Sequence, residues 1–269
     1  MGLEETPRIS RSLAVVYLAR GSDSAPLTRF HRFLDSYFRF PAAAEHDLFI
    51  IFKGFDDRAG LERAREIFSR VRYIPITTDD DNFDLGAYRI AAEHVHHDLI
   101  CFLNSNSEIL GAGWLAKLLV NFGRPSVGIV GATGSFEALW SDDRFPQFPN
   151  VHLRSNGFLI RREHALEMFP RRVASKKEAW LLESGPNGIT RRFWAKGLSV
   201  VVVGRNGRGY FPQWWAASET FRIANQANLL IHDNVTREFE GMSRVKRLEM
   251  SNSTWGEYLD GRKLALVPS

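Results

Sequence analysis

The chain has 269 residues, of which 44% are hydrophobic and 25% are charged, so it can bury a sizeable core in one large domain or two small ones. Its single cysteine, Cys101, excludes a disulfide framework and argues against a zinc cluster. The net charge of +4 is typical of a mildly basic surface and also suits an anionic partner, but Lys and Arg form no dense stripe, which disfavours nucleic-acid binding.

Buried strands alternate with amphipathic helices through the first half of the chain. Continuous apolar runs predict strands at 13–19, 47–53, 71–76, 98–103 and 127–131. Apolar residues at helical spacing predict a helix after each of the first four strands, with the clearest patterns at 59–70 and 84–95. Strand and helix alternation with short loops predicts an α/β fold, in which a mostly parallel central sheet carries helices on both faces.

The second half of the chain is less regular. Residues 134–156 contain two prolines and predict an extended excursion over the sheet. The later segments predict a strand and short helix at 157–169, a helix at 185–197, a strand at 198–204 and a helix at 217–234. From Val235 onward the chain is charged and only weakly periodic. We expect one domain spanning 1–269.

Polar loops follow the predicted strands at the edge where parallel sheets bind ligands. They are RGSD (20–23), KGFDD (53–57), TTDDDNFD (77–84) and NSNSE (104–108). The last of these follows a buried strand directly and places five polar side chains in a row. Because an ordinary strand-to-helix turn is also polar, the pattern indicates either a ligand-facing edge or a structural turn.

The order of these segments resembles the family 2 glycosyltransferases, whose type A fold is Rossmann-like. The similar segments are NFDLGAYRIAAEHVHHDLICFLNSNSEILGAGWLAKLL (82–119) and AWLLESGPNGITRRFWAKGLSVVVVG (179–204), within a matching region of 12–205. The resemblance implies a nucleotide-sugar-binding half at 12–133, an acceptor-binding and catalytic half at 134–234 and a C-terminal extension at 235–269.

The chain departs from the family at its DxD motif. In the family, two aspartates at the end of the fourth strand hold a divalent cation and the ribose, whereas this chain has Asn104 and Asn106. An amide oxygen can coordinate a hard cation or bond a hydroxyl, but it carries no charge. We therefore expect these asparagines to contact the donor, with Mn²⁺ or Mg²⁺ bound weakly or not required. Glu108 and His232 are the residues that could supply a metal contact.

The resemblance also assigns roles to residues outside that motif. Glu183 stands at the position of the catalytic base, which deprotonates the acceptor hydroxyl, although a helix N-terminus would also favour an acid there. Asp142 or Asp143 is the next candidate base. Asp56 and Asp84 are further expected donor contacts by the same resemblance. Arg205 and Arg208 are donor candidates because they lie in a glycine-rich loop after the last strand. Arg154, Asn156 and Trp214 are acceptor candidates, although a surface turn would explain the first two equally well and Trp214 could as easily be a core residue. A helix N-cap would explain Asp84 equally well, and the two arginines would supply the charge that a cation brings.

The function implied by the resemblance is transfer of a sugar, with inversion, from a nucleotide-sugar donor to a saccharide or lipid-linked acceptor. Polysaccharide biosynthesis in the cytoplasm, with or without peripheral attachment to the inner face of the membrane, is the implied setting. The sequence leaves the oligomeric state open. Two alternatives remain: a non-catalytic nucleotide-sugar-binding scaffold, which the lost aspartates favour, and a nucleotidyltransferase. Against the latter, ARGSDSAP (19–26) has a single glycine.

Overall fold

The computed structural model describes residues 12–138 and 143–260. Twelve strands are present in these ranges: β1 (Leu13–Arg20), β2 (Asp47–Lys53), β3 (Ile74–Thr78), β4 (Leu99–Leu103), β5 (Glu108–Ile109), β6 (Val127–Gly131), β7 (Gly134–Ser135), β8 (His152–Leu153), β9 (Gly157–Arg161), β10 (Ser199–Val203), β11 (Gly209–Tyr210) and β12 (Ile231–His232).

Nine α-helices accompany the strands in the same part of the chain: α1 (Pro26–Arg39), α2 (Arg58–Phe68), α3 (Phe83–His94), α4 (Trp114–Phe122), α5 (Arg162–Met168), α6 (Lys176–Ser184), α7 (Ile189–Ala195), α8 (Asn234–Gly241) and α9 (Arg244–Trp255). Two 3₁₀ turns lie at Pro212–Ala217 and Gly256–Asp260. No helix of the described residues is both long enough and apolar enough to cross a membrane.

Eight strands form the central sheet in the order β11-β10-β6-β9-β4-β1-β2-β3. β1 pairs in parallel with β2 and β4, and β6 pairs in parallel with β10. β9 is antiparallel to both β4 and β6, and its first residue, Gly157, pairs with Leu103 at the end of β4. The carboxyl ends of β1, β2 and β4 and the amino end of β9 therefore share one edge of the sheet.

The sheet carries a hydrophobic core on each face, as the sequence predicted. Successive residues of a strand point to opposite faces, so Val15 and Tyr17 pack with α1 and α2 while Val16 and Leu18 pack on the α3 side. The mostly parallel sheet with helices on both faces is confirmed. All five strands predicted in the first half are present, although β3 begins later than predicted, at Ile74.

The helix predicted at 217–234 is wrong. That segment is a compact loop that leads into β12, and it contains four non-glycine residues with positive φ: Glu219, Arg222, Ala224 and Gln226. Left-handed backbone at these positions cannot continue an α-helix. The loop buries apolar residues at helix-like spacing for another reason, because it packs Phe221, Leu229 and Leu230 against the core. Helical order resumes at α8.

Candidate active site

The loop at 104–108 leaves β4 at the centre of the shared sheet edge. The Asn104 backbone N–H donates to the Asn156 carbonyl at 3.1 Å. The Asn104 Oδ1 atom accepts from the Asn106 N–H and from the Ser107 hydroxyl, both at 3.1 Å. This arrangement closes a tight turn in which Ser105 and Ser107 are buried while both asparagine side chains remain partly exposed. Both asparagine side chains are thus partly open at this edge of the sheet, which we call the cleft, and Asn104 also shapes the turn.

The loop after β1 is tied to the loop at 104–108. Tyr17 donates its hydroxyl to the Ser105 carbonyl at 2.9 Å, and the Ser105 hydroxyl donates to Asp23. Burial raises the pKa of Tyr17, so this hydroxyl keeps its proton. Asp23 also pairs with Arg20 at 3.1 Å and with Arg29 at 2.7 Å. These contacts join the RGSD (20–23) and NSNSE (104–108) loops, both of which the sequence predicted at this edge, on one side of the cleft.

Glu183 lies in the last turn of α6 and reaches the same edge through Ser155. Its Oε2 atom accepts from the Ser155 backbone N–H at 2.7 Å and from the Ser155 hydroxyl. The next residue, Asn156, is the one whose carbonyl accepts from Asn104. Glu183 and the loop at 104–108 are therefore joined by two adjacent residues. Within the described ranges, no cationic side chain lies within ion-pair distance of the Glu183 carboxylate.

Asp84 occupies the first turn of α3, close enough to Glu183 for the two charges to interact. The N-cap of α3 is Asn82, so the N-cap alternative for Asp84 does not apply. Desolvation raises the pKa of Asp84 to about 6, and the negative charges of Asp23 and Glu183 add to this rise, while the Lys53 charge opposes it. Asp84, Asp23 and Glu183 thus form an acidic region of the cleft in which Asp84 titrates near neutral pH.

Lys53, at the end of β2, begins the predicted KGFDD (53–57) loop and is a buried cation with no role predicted from the sequence. Its Nζ atom donates to the Phe83 carbonyl at 2.7 Å and to Asn82 Oδ1 at 3.1 Å, and it lies 3.6 Å from Asp80. Burial lowers the pKa of Lys53. Lysine directly after the apolar run LFIIF (48–52) was the available signal, because a lysine at the end of a buried strand needs partners.

Arg237, from α8, forms a basic wall of the cleft at the other end of the loop at 104–108. β12 pairs with β5 in a register that places His232 opposite Glu108 and brings α8 to the loop. Arg237 donates to Glu108 Oε2 at 2.5 Å and to the Asn106 carbonyl at 2.5 Å. Arg32 lies 3.8 Å from the same Glu108 oxygen. A cavity of about 410 Å³ runs along α1 from this point and is bordered by both Arg32 and Glu108.

Several predicted site residues lie apart from this cluster. Arg205 and Arg208 are exposed after β10, three strands from β4, or roughly 14 Å at the usual strand spacing. Arg205 donates to the Ala227 carbonyl at 2.6 Å, and Arg208 stacks on Tyr210. Asp56 is exposed in the loop that follows β2 at the shared edge. Within the described ranges, no hydrogen bond or ion pair joins any of these three residues to the asparagines.

The predicted acceptor and metal contacts have structural partners. Arg154 pairs with the buried Asp233 at 2.8 Å, and Asn156 is only 3% exposed and bonds Thr133 at 2.7 Å. His232 contacts Thr236 at 2.7 Å and Glu240 at 3.0 Å.

Trp214 is exposed, whereas its neighbour Trp215 is part of the core. Of the two alternative bases, Asp143 is exposed and Asp142 lies outside the described residues.

Solved structures of other proteins share this architecture. No family model matches the chain, and no curated protein matches it. Among solved structures, a mannosyltransferase from Pyrobaculum calidifontis in complex with GDP-Man and Mn²⁺ matches with a TM-score of 0.50 at 11% identity, over 78% of this chain and 60% of that chain. The chain has a type A glycosyltransferase fold. It spans 60% of the length of the mannosyltransferase.

Enzymes of two classes match this type A fold more weakly. Mouse xyloside xylosyltransferase 1 has a TM-score of 0.39 at 14% identity, covering 60% of this chain and 69% of that chain. The 4-diphosphocytidyl-2C-methyl-D-erythritol synthase from Anaerococcus prevotii has a TM-score of 0.48 at 11% identity, covering 75% and 88%. At 11% identity the match to the mannosyltransferase shows the fold alone, and the chemistry depends on the side chains of the site.

The side chains at the cleft do not fit a divalent cation. A hard cation such as Mg²⁺ takes oxygen ligands that include carboxylates. In the ranges 12–138 and 143–260, no three His, Cys, Asp or Glu side chains converge as a metal-binding group. Asn104 Oδ1 already accepts two hydrogen bonds, and the Glu108 carboxylate is paired with Arg237. The loop thus lacks the anionic ligand set that the type A motif normally provides.

Proposed function

We propose that the protein is a glycosyltransferase that moves a sugar from a nucleotide-sugar donor to a hydroxyl of a saccharide or lipid-linked acceptor, with inversion. One observation carries the proposal: the Glu183 carboxylate is held by Ser155 beside the loop at 104–108, with no cationic partner in the described part of the chain. A carboxylate that is positioned but not neutralised by an ion pair is suited to accept a proton.

The reaction follows from this placement. The acceptor hydroxyl lies between Glu183 and the anomeric carbon of the donor sugar. Glu183 takes the hydroxyl proton as the oxygen attacks, a new carbon–oxygen bond forms, and the bond from the anomeric carbon to the diphosphate breaks. The electron pair of that bond leaves with the nucleoside diphosphate. Attack from the side opposite to the leaving group inverts the anomeric centre.

The nucleoside part of the donor is assigned to the edge formed by β1, β2 and α3. Asp84 is ionised above about pH 6, so at neutral pH it can accept hydrogen bonds from ribose hydroxyls or base N–H groups. Asn106 is partly exposed at the end of β4, between this edge and Arg237. The sugar would then extend toward Glu183. The trio Asp84, Asn106 and Glu183 thus defines a path for the donor across the cleft.

The setting of the reaction is part of the same proposal. Cys101 is a buried free thiol, which suits a reducing compartment such as the cytoplasm. A role in polysaccharide biosynthesis agrees with a saccharide or lipid-linked acceptor. The exposed Trp214 remains a candidate for stacking on an acceptor sugar, because an exposed indole ring offers a flat apolar surface.

The test separates transfer from the alternatives by the product formed. The protein is incubated with a panel of nucleotide sugars and saccharide acceptors, and separately with nucleoside triphosphates and sugar phosphates, while phosphorus NMR follows the products. A glycosyltransferase releases nucleoside diphosphate from the first set. Pyrophosphate from the second set would instead identify a nucleotidyltransferase. Binding of nucleotide sugars without either product would support a non-catalytic scaffold.

A further inference from the structure

We propose that Arg237 and Arg32 bind the donor diphosphate directly and take the place of a divalent cation. The inference rests on the proposed function, because it names the groups that meet the leaving nucleoside diphosphate. It differs from the expectation drawn from the sequence, which gave this role to Arg205 and Arg208.

Arg237 lies directly beside the altered motif. Arg237 donates one hydrogen bond to the carbonyl of Asn106, the second asparagine of the altered motif, and another to Glu108 at the end of the same loop. Arg32 approaches Glu108 from α1 at 3.8 Å. A guanidinium therefore stands at the strand end where a parallel sheet of this kind receives its ligand.

The charges around Arg237 also support the binding of an anion. Arg29, Arg32 and Arg237 lie around this loop with the carboxylates Asp23 and Glu108, and the third nearby carboxylate, Asp233, is paired with Arg154 at 2.8 Å. Desolvation and the charge of Arg32 lower the pKa of Arg237, the charges of Glu108 and Asp233 oppose this shift, and the charge of Arg29 adds to it. The described surroundings of Arg237 are thus short of negative charge, and a bound diphosphate would supply it. Arginine forms paired hydrogen bonds with phosphate oxygens, so the chemistry of the group matches the ligand.

Both arginine side chains are partly accessible to solvent. The Arg237 side chain is 24% exposed and the Arg32 side chain is 37% exposed. The cavity of about 410 Å³ along α1 opens beside Arg32 and Glu108. Arg32 therefore borders the cavity, and Arg237 is partly open to solvent beside Glu108, despite the contacts that both arginines make with that residue.

A diphosphate site at Arg237 would also explain why the loop carries asparagines in place of aspartates. Two aspartates in this loop would add two negative charges near Arg237 and offset its charge, as Glu108 does in part. Neutral amides keep the shape of the turn and leave the guanidinium charge available. The loss of two carboxylates and the presence of Arg237 beside Asn106 are then two parts of one arrangement, in which fixed side-chain cations replace a bound ion.

The test is calorimetric titration of the full chain with UDP, GDP, CDP, ADP and TDP, each compared with its nucleoside, in EDTA and in excess manganese. The variants are Arg237→Gln, Arg32→Gln and Glu108→Gln. Arg171→Gln is the matched control, because Arg171 is an exposed arginine between α5 and α6 that makes the same type of contact, pairing with Glu93 of α3 at 2.8 Å. Thermal melts establish that each variant is folded.

We expect the preferred diphosphate to bind in EDTA as tightly as in manganese. Arg237→Gln should weaken diphosphate binding about tenfold to a hundredfold and leave nucleoside binding unchanged, with a smaller loss for Arg32→Gln. Glu108→Gln should tighten diphosphate binding, because it removes the carboxylate that competes for Arg237.

Three results would overturn the inference, and they are distinguishable. Diphosphate binding that requires manganese and is lost in Glu108→Gln would place a cation on Glu108 and leave the proposed function standing. Equal diphosphate affinities for Arg237→Gln and Arg171→Gln would also leave that function standing but assign the diphosphate elsewhere. The absence of binding for all five diphosphates would reject both the inference and the proposed function.

Discussion

The two walls of the cleft carry opposite charges, negative at Glu183 and positive at Arg237. Different kinds of contact hold the two side chains in place. Glu183 is fixed by the Ser155 N–H and hydroxyl, which are neutral donors, so its negative charge is not cancelled by a described cation. Arg237 is fixed by Glu108 and by the Asn106 carbonyl, and Arg32 lies close by. One wall is thus suited to take up a proton, and the other is suited to receive an anion. A sugar transfer with a diphosphate leaving group needs both.

Removing the charge of the acidic wall should have the largest effect. Glu183→Gln keeps the shape of the side chain but cannot accept a proton, so we expect turnover to fall by roughly a hundredfold or more while donor affinity is retained. Steady-state kinetics together with calorimetry of the donor provide the measurement. Glu178→Gln, an exposed residue in the first turn of the same helix, is the control and should retain full turnover.

Loss of the Ser155 hydroxyl contact with Glu183 should lower turnover less than loss of the Glu183 charge. Ser155→Ala removes the hydroxyl that donates to Glu183 and leaves the backbone N–H in place. We expect kcat to fall by about tenfold with little change in the KM for the donor, because a less ordered base remains a base. Ser155→Thr restores a hydroxyl and should recover most of the loss. A purely structural role would instead lower the melting temperature of both variants without this rescue.

The nucleoside side of the cleft can be tested through its pH dependence. The pKa of Asp84 is raised to about 6 by desolvation, so protonation below that pH removes an acceptor for ribose or base N–H groups. We expect nucleotide affinity to fall by up to about tenfold as the pH is lowered from neutrality to 5. Asp84→Asn should bind nucleotide with an affinity that no longer depends on pH over this range. Parallel pH curves for the two proteins would remove Asp84 from the donor site.

The free energy of unfolding should fall when Asp84 becomes ionised in the folded protein. The folded state binds this proton more tightly than the unfolded state, whose Asp pKa is about 3.9, so stability relative to Asp84→Asn is lost as the pH rises from about 4 to about 6. Above that window, we expect the free energy of unfolding of Asp84→Asn to exceed that of the native protein by about 1–3 kcal/mol. Near pH 4 the two should be similar. Urea titrations at both pH values provide the comparison.

The sheet could be predicted from the sequence because its strands are unusually apolar. LAVVYLA and DLICFL are buried on both faces, so their composition alone identifies them, and the pattern of 84–95 contains the α3 core residues Leu85, Tyr88 and Ala92. The segment at 217–234 misled the same reasoning, because the loop buries apolar residues through left-handed turns. Periodicity reports burial, but it does not report the backbone conformation that achieves it.

The candidate site could be predicted only in part. Asn104, Asn106 and Glu183 were selected from segments that resemble known motifs, and the structure brings them to one edge. Arg237 is 131 residues away from Asn106 along the chain, and Ser155 is 28 residues from Glu183, so these partners depend on the complete fold. Arg205 and Arg208 were chosen for charge and loop composition alone, and the strand order places them away from the asparagines.

A crystal structure of the Glu183→Gln variant with its preferred nucleotide sugar would test the central claim most directly, because the variant should bind the donor without consuming it. The account predicts the nucleoside at Asp84, the diphosphate between the loop at 104–108 and Arg237, and the anomeric carbon separated from the residue 183 carboxamide by the width of one acceptor hydroxyl. A donor whose diphosphate points toward Arg205, or whose sugar lies away from residue 183, would contradict it.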